Sequence, residues 1–178
     1  MLFRSGLADL AYVTVGTGVG AGLVAHGRPV DGMTHSELGH VRPPRLPGDE
    51  WTGSCPFHGA CVEGLAAGPA IAARTGVKGE DLPPDHPAWD GVVSALSHLF
   101  ATLALTGVPR RIVLGGGVLV GNDFLLPRLR AETAASLGGY VALPEVEDMA
   151  TYLVPAALGG NAGPLGAVVL GQLALTGG

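Results

Sequence analysis

Charge is scarce in this sequence: Asp, Glu, Lys and Arg make up 14% of the 178 residues, and 10 Lys+Arg against 15 Asp+Glu leave a net charge of −5. A disordered chain would combine high charge with low hydrophobicity, whereas 47% hydrophobic residues supply enough apolar surface for one domain with a sizeable core. Basic residues form no cluster, and aromatics amount to only 5%. That excludes an electrostatic footprint for nucleic acid and a stacking platform for unpaired bases, and favours small-molecule partners. Cysteine is limited to Cys55 and Cys61, too few and too close together for the disulfide framework of a secreted domain. No charged segment followed by an apolar run opens the chain, so a cytoplasmic protein is expected. Long apolar runs are missing too. The most membrane-like stretch, Gly163 to Leu175, is interrupted by Pro164, Gly166, Gly171 and Gln172. It falls short of the roughly 18 apolar residues a span needs, so a buried helix is expected there and no membrane partner.

Glycine and proline are abundant, at 30 and 14 residues. They follow no Gly-X-Y period and lie between apolar runs, which makes them turns and close backbone contacts. Leu10–Val15 (LAYVTV) reads as a buried strand closed by Gly16-Thr17-Gly18, and Gly20–Ala25 as a second strand. A turn at His26-Gly27-Arg28 leads to a third, Pro29–Val30, so the chain opens as a meander. Val62–Arg74 predicts a helix or two half-helices, with Gly68-Pro69 starting the second, because proline suits a first helical turn and no interior position. In Trp89–Leu105 the residues Val92, Val93, Leu96, Leu99, Phe100, Leu103 and Ala104 recur at helical spacing. Arg111–Leu114 predicts a strand running into Gly115-Gly116-Gly117, followed by a helix over Leu125–Leu137. Thr151–Val154 predicts a last strand before the Gly159-Gly160-Asn161 loop and the Gly163–Leu175 helix. The order is three strands, then alternating helix and strand.

Three constellations carry chemistry. Gly16-Thr17-Gly18 lies between two strands, so it is no dinucleotide fingerprint, which requires a helix start to hold its pyrophosphate. It is either an ordinary hairpin or a nest in which backbone N–H groups and the Thr17 hydroxyl meet a terminal phosphate. Gly115-Gly116-Gly117 is either a tight strand-to-helix turn or a place where a nucleotide ribose or base comes close to the backbone. His40, Cys55, His58 and Cys61 offer two thiolates and two imidazoles, a donor set suited to tetrahedral zinc. A metal there would explain how the Pro/Gly-rich segment from Gly32 to Gly59, which has no apolar period, stays in place. Four protein ligands close the coordination sphere, so such a zinc is structural. Glu37 and Glu63 flank the cluster and would be held by it where they can meet vicinal hydroxyls of a polyol; otherwise they are solvated surface acids.

The segments YVTVGTGVGAG, HSELGH, CPFHGACVEGLAAGPAI, DLPPDHPAWD, RIVLGGGV and GGNAGPLGA together resemble the C-terminal half of bacterial fructokinases of the ROK family (repressors, open reading frames and kinases). Its most specific element is the Cys-Pro-Phe-His-Gly-Ala-Cys segment of the zinc loop (about residues 32–62), with His58 where most of the family has a cysteine. The resemblance implies an α/β, actin-like (ribonuclease H-like) ATPase domain, one of two that close over sugar and ATP. It places Thr17 and Gly18 at the β/γ-phosphates, Gly116 and Gly117 at the adenosine, and Pro69 near the nucleotide. It assigns Glu37, His40 and Glu63 to sugar hydroxyls, with His40 also a zinc ligand. The implied reaction moves the γ-phosphoryl of Mg-ATP to the 6-hydroxyl of D-fructose, in a family that forms homodimers; a glucokinase or other hexokinase, or a fragment of a sugar-sensing repressor, is the alternative. The family's Asp-x-Gly-Gly-Thr phosphate loop and its catalytic Asn-Asp motif are expected ahead of Met1. No catalytic base is therefore expected within these residues, nor activity from them alone.

Overall fold

Leu10–Val15 forms the central strand, β1, of a mixed five-stranded sheet in this computed structural model, which describes residues 6–30, 32–142 and 144–176. The strand's β-branched and apolar residues alternate as a pleat requires: Ala11, Val13 and Val15 enter the core while Thr14 is exposed. The glycine turn sends the chain back as β2 (Val19–Ala25), antiparallel to β1 from Leu10↔Val24 to Val15↔Val19. A two-residue β3 (Arg28–Pro29) completes the meander. On the other side of β1, β4 (Ile112–Gly115) and β5 (Leu153–Pro155) run parallel to it, giving the order β3-β2-β1-β4-β5.

Helices supply the second layer. The expected Val62–Arg74 helix is two: α1 (Val62–Ala66) and α2 (Gly68–Thr75), broken at the extended Ala67 with Pro69 in the first turn of α2. The long helix α3 (Ala88–Thr106) buries the stripe the sequence predicts, with Trp89, Leu96, Leu99, Phe100 and Leu103 fully enclosed. Its mean hydropathy of 1.3 and its 19 residues are enough to cross a membrane, but it is the core helix here, covered by α1 and by α5 (Leu125–Leu137). The Ser97 hydroxyl donates to the Leu129 carbonyl at 3.3 Å, a polar tie between α3 and α5. The glycine run after β4 opens a short helix, α4 (Gly117–Val120), which the sequence did not announce.

Two expectations are corrected. The strand expected over Thr151–Val154 begins only at Leu153. Two short helices, α6 (Pro144–Glu147) and α7 (Met149–Tyr152), precede it, the second started by Asp148, whose side chain accepts the Ala150 N–H at 3.1 Å. The last helix, α8 (Ala162–Thr176), expected to be buried, has no buried side chain among its described residues. It packs chiefly on the Gly159–Asn161 turn before it, leaving Val168 and Leu175 exposed.

The joint between β4 and α4 has a strict requirement. Gly116 has φ +92°, and a Cβ there would lie 2.3 Å from the Val15 carbonyl oxygen, so β1 and the turn after β4 are in backbone contact. Gly117, one residue on, meets nothing within 4 Å. Gly116→Ala is expected to cost about 2 kcal/mol or more, through positive-φ strain and the clash. Gly117→Ala should change stability by under about 0.5 kcal/mol. Urea denaturation of both variants checks this pair; equal midpoints would contradict it.

Candidate functional site

β1 and β4 are parallel neighbours, so their C-terminal ends lie side by side, and the loops leaving them form one cleft of about 490 Å³. Gly16 and Thr17 from the hairpin, Gly68, Pro69 and Ala72 from α2, and Gly117 and Val118 from α4 line it, with Lys78, Gly79, Glu80 and Asn122 closing its sides. The Gly68 N–H donates to the Gly16 carbonyl at 2.8 Å, which ties the start of α2 to the hairpin. Thr17 is exposed toward the cleft, and Lys78 pairs with Glu80 at 3.4 Å on its rim. Of the residues singled out in the sequence, Thr17, Pro69 and Gly117 line this cleft. Gly116 sits beneath it under Val15, and Gly18 turns the other way, toward Glu63. Lys78 and Asn122 were not foreseen. Asn122 is buried, its amide donating to the Val118 carbonyl at 3.0 Å, so it also secures the end of α4.

The Cys/His cluster assembles. His40 ends a one-turn 3₁₀ helix (Leu38–His40), Cys55 and His58 come from a turn closed by the Cys55–Gly59 bridge, and Cys61 caps α1. The four ligand atoms lie within 4.8 Å of one another. Cys55 Sγ is 3.7 Å from His40 Nδ1 and 3.8 Å from His58 Nδ1, and Cys61 Sγ is 3.6 Å from His40 Nδ1. Sulfur and nitrogen placed tetrahedrally around zinc at ordinary bond lengths would be separated by about 3.6 Å, so donor set and spacing both fit that ion. Burial pushes the Cys55 thiol up, but the amide N–H groups of His58 and Phe57 outweigh it and hold the thiol below its ordinary range. The Cys61 thiol is pushed up, first by burial, against the Gly64 N–H that donates to its sulfur at 3.4 Å.

The two flanking carboxylates differ. Glu37 is exposed, 2.7 Å from His35 Nε2 and 3.9 Å from His40 Nε2, on the ring edge opposite Nδ1, the nitrogen that faces the two sulfurs. Glu63, in the first turn of α1, accepts the Val19 N–H at 3.0 Å and so reaches the hairpin.

A second clamp holds the loop. Asp49 pairs with Arg74 of α2 at 3.0 and 3.2 Å and with Arg45 at 3.2 Å, and accepts the Trp51 N–H at 3.1 Å. Burial pushes its carboxyl up, but the Trp51 N–H and the two guanidinium groups outweigh this and hold it below the ordinary 3.8. A depressed carboxylate contributes stability that is complete above the unfolded value and is lost as pH falls through the folded one. Thermal melts from pH 7 down to pH 3 should therefore lose a component that Asp49→Asn lacks. Identical pH dependence in the two proteins would contradict the clamp.

Residues 3–173 match the ROK family model. The chain is 44% identical over 164 residues to a fructokinase of Pediococcus pentosaceus, covering 92% of this chain and 56% of that protein. It is 40% identical over 162 residues to a fructokinase of Zymomonas mobilis, covering 89% and 52%. The crystal structure of a ROK hexokinase from Thermus thermophilus superposes with a TM-score of 0.76 at 30% identity, over 97% of this chain and 60% of that one. The chain thus spans little more than half the length of the curated relatives it matches. The fold is that of the actin-like sugar kinases, and with the family pattern covering nearly every residue, the chain belongs to the ROK family.

Proposed function

We propose that this chain is the zinc-loop and nucleotide-binding part of a hexose kinase that transfers the γ-phosphoryl of Mg-ATP to the 6-hydroxyl of D-fructose. One observation carries this reading. The metal loop runs through α1 directly into α2, so a single short segment holds a metal ligand (Cys61), a carboxylate (Glu63) and a residue of the cleft (Pro69). A donor and an acceptor substrate could then meet across one joint. The fructokinase relatives support fructose as the acceptor. The hexokinase resemblance favours, as the second reading, a broader hexose preference.

In this reading Thr17 faces the terminal phosphates, Pro69 and Gly117 border the adenosine, and Glu37, Glu63 and His40 meet sugar hydroxyls. Phosphoryl transfer depends on positioning and on stabilising charge spread over the transferring group, and Mg²⁺ bound with ATP supplies part of that stabilisation. His40, Cys55, His58 and Cys61 would hold zinc, which fixes the loop backbone on both sides of the two glutamates; with four protein ligands it offers no position to activate water. None of the residues assigned here is a general base, a group typically worth a factor of about 10² to 10⁴. A polypeptide limited to residues 1–178 is thus expected to show no useful turnover of fructose.

Elemental analysis should find about one zinc per chain in the wild type and less than half of that in Cys61→Ala. Its binding is worth on the order of ten kcal/mol, so chelation should lower thermal stability steeply. In an enzyme carrying this domain, a coupled assay should give kcat/KM for fructose at least about tenfold above that for glucose. A ratio near one would support the second reading instead. Thr17→Ala should raise the KM for ATP and leave that for fructose near its original value.

A further inference from the structure

Glu63 makes a contact that a sugar ligand does not need. It stands two residues beyond Cys61 in the first turn of α1, and its Oε2 accepts the backbone N–H of Val19 at 3.0 Å, across 44 residues of sequence. Val19 is the first residue of β2 and pairs with Val15, so it is one foot of the Gly16-Thr17-Gly18 turn. Inside that turn one bond closes the loop, the Gly16 N–H donating to the Gly18 carbonyl at 2.9 Å. Gly18 is shaped by the same carboxylate, since a Cβ there would stand 2.6 Å from Glu63 Oε2. The glycine that the family resemblance assigns to phosphate thus has a further physical reason, close approach of a side chain from another element.

We propose that Glu63 is a positioning residue whose carboxylate clamps the foot of the hairpin to the start of α1 and thereby sets where Thr17 faces the cleft. The role in nucleotide binding rests on the assignment of that cleft to ATP. A charged acceptor makes a stronger hydrogen bond than a neutral one, and this bond is partly buried. Val19 N–H is consumed by it, which leaves Thr17, the turn residue that lines the cleft, to meet an anion. The clamp also joins the metal loop to the hairpin with one side chain, since Glu63 and Cys61 share the first turn of α1. A hexose taken by the other carboxylate oxygen would act on the same lever.

Amide hydrogen exchange followed residue by residue by NMR on the full chain tests the clamp without any ligand. Glu63→Ala should speed exchange at Val19 about tenfold or more, with Val24 at the far end of β2 unchanged. Glu63→Gln keeps an acceptor oxygen at the same reach and should hold Val19 within about threefold of the wild type. Gly18→Ala should deprotect Val19 when Glu63 is present and add nothing further in the Glu63→Ala background. Calorimetry with Mg-ADP then reads the positioning role, with affinity reduced about fivefold or more in Glu63→Ala and kept within about twofold in Glu63→Gln. Unchanged Val19 exchange in Glu63→Ala overturns the clamp. Unchanged Mg-ADP affinity alongside a deprotected Val19 overturns its role in positioning, and a wild-type chain that binds no Mg-ADP overturns the cleft assignment on which that role rests.

Discussion

Two parallel strands ending side by side set the geometry of this molecule. β1 and β4 are in register from Ala11↔Ile112 to Thr14↔Gly115, and just beyond that register the Gly116 backbone passes under the Val15 carbonyl with no room for a side chain. The contact brings the hairpin after β1 and the helix after β4 to the same end of the sheet. The Gly68 N–H, bonded to the Gly16 carbonyl, draws α2 to that end as well. The cleft is the consequence: three connections from distant parts of the chain, each starting with glycine, leave backbone accessible where side chains would otherwise fill the space.

The second frame is the loop between β3 and α1. It has little regular structure of its own, so its position depends on cross-links. The Cys/His cluster joins its two halves, and Asp49 joins it to Arg74 on α2. Asp49 is nearly buried between two guanidinium groups, and the bidentate contact from Arg74 with the Trp51 N–H outweighs the desolvation that burial costs. Through Glu63 the same loop reaches the hairpin. The loop and the cleft are thereby one mechanical unit, although they are remote in sequence.

Much of this was legible from residues alone. The alternation in LAYVTV gave β1, the spacing of Val92, Leu96, Leu99 and Leu103 gave α3, and the donor types at His40, Cys55, His58 and Cys61 gave a Cys/His cluster whose atoms do converge. These are local signals, carried by period, composition and coordination preference, and they need no knowledge of the fold. The short helix α7 escaped because its signal is a single capping aspartate, Asp148, in a segment whose later residues favour a strand, and α6, at four residues, is too short to show a helical period. The exposed α8 misled for the opposite reason: an apolar sequence records what a helix would bury and says nothing of whether a partner surface lies within reach.

Sequence alone, then, determined the long periodic elements such as β1 and α3, the convergent Cys/His set and the family resemblance, because each depends on residue type at short spacing. Tertiary structure decided what the glycines and carboxylates are for. Gly116 serves β1, Gly18 makes room for Glu63, and Lys78 and Asn122 join the cleft without a motif to mark them. Glu63 and Val19 are separated by 44 residues and brought to 3.0 Å only when α1 docks beside the hairpin. A hydrogen bond of that kind depends on the relative placement of two elements, and that placement is fixed by the packed core beneath them rather than by any pattern in the residues that make the bond.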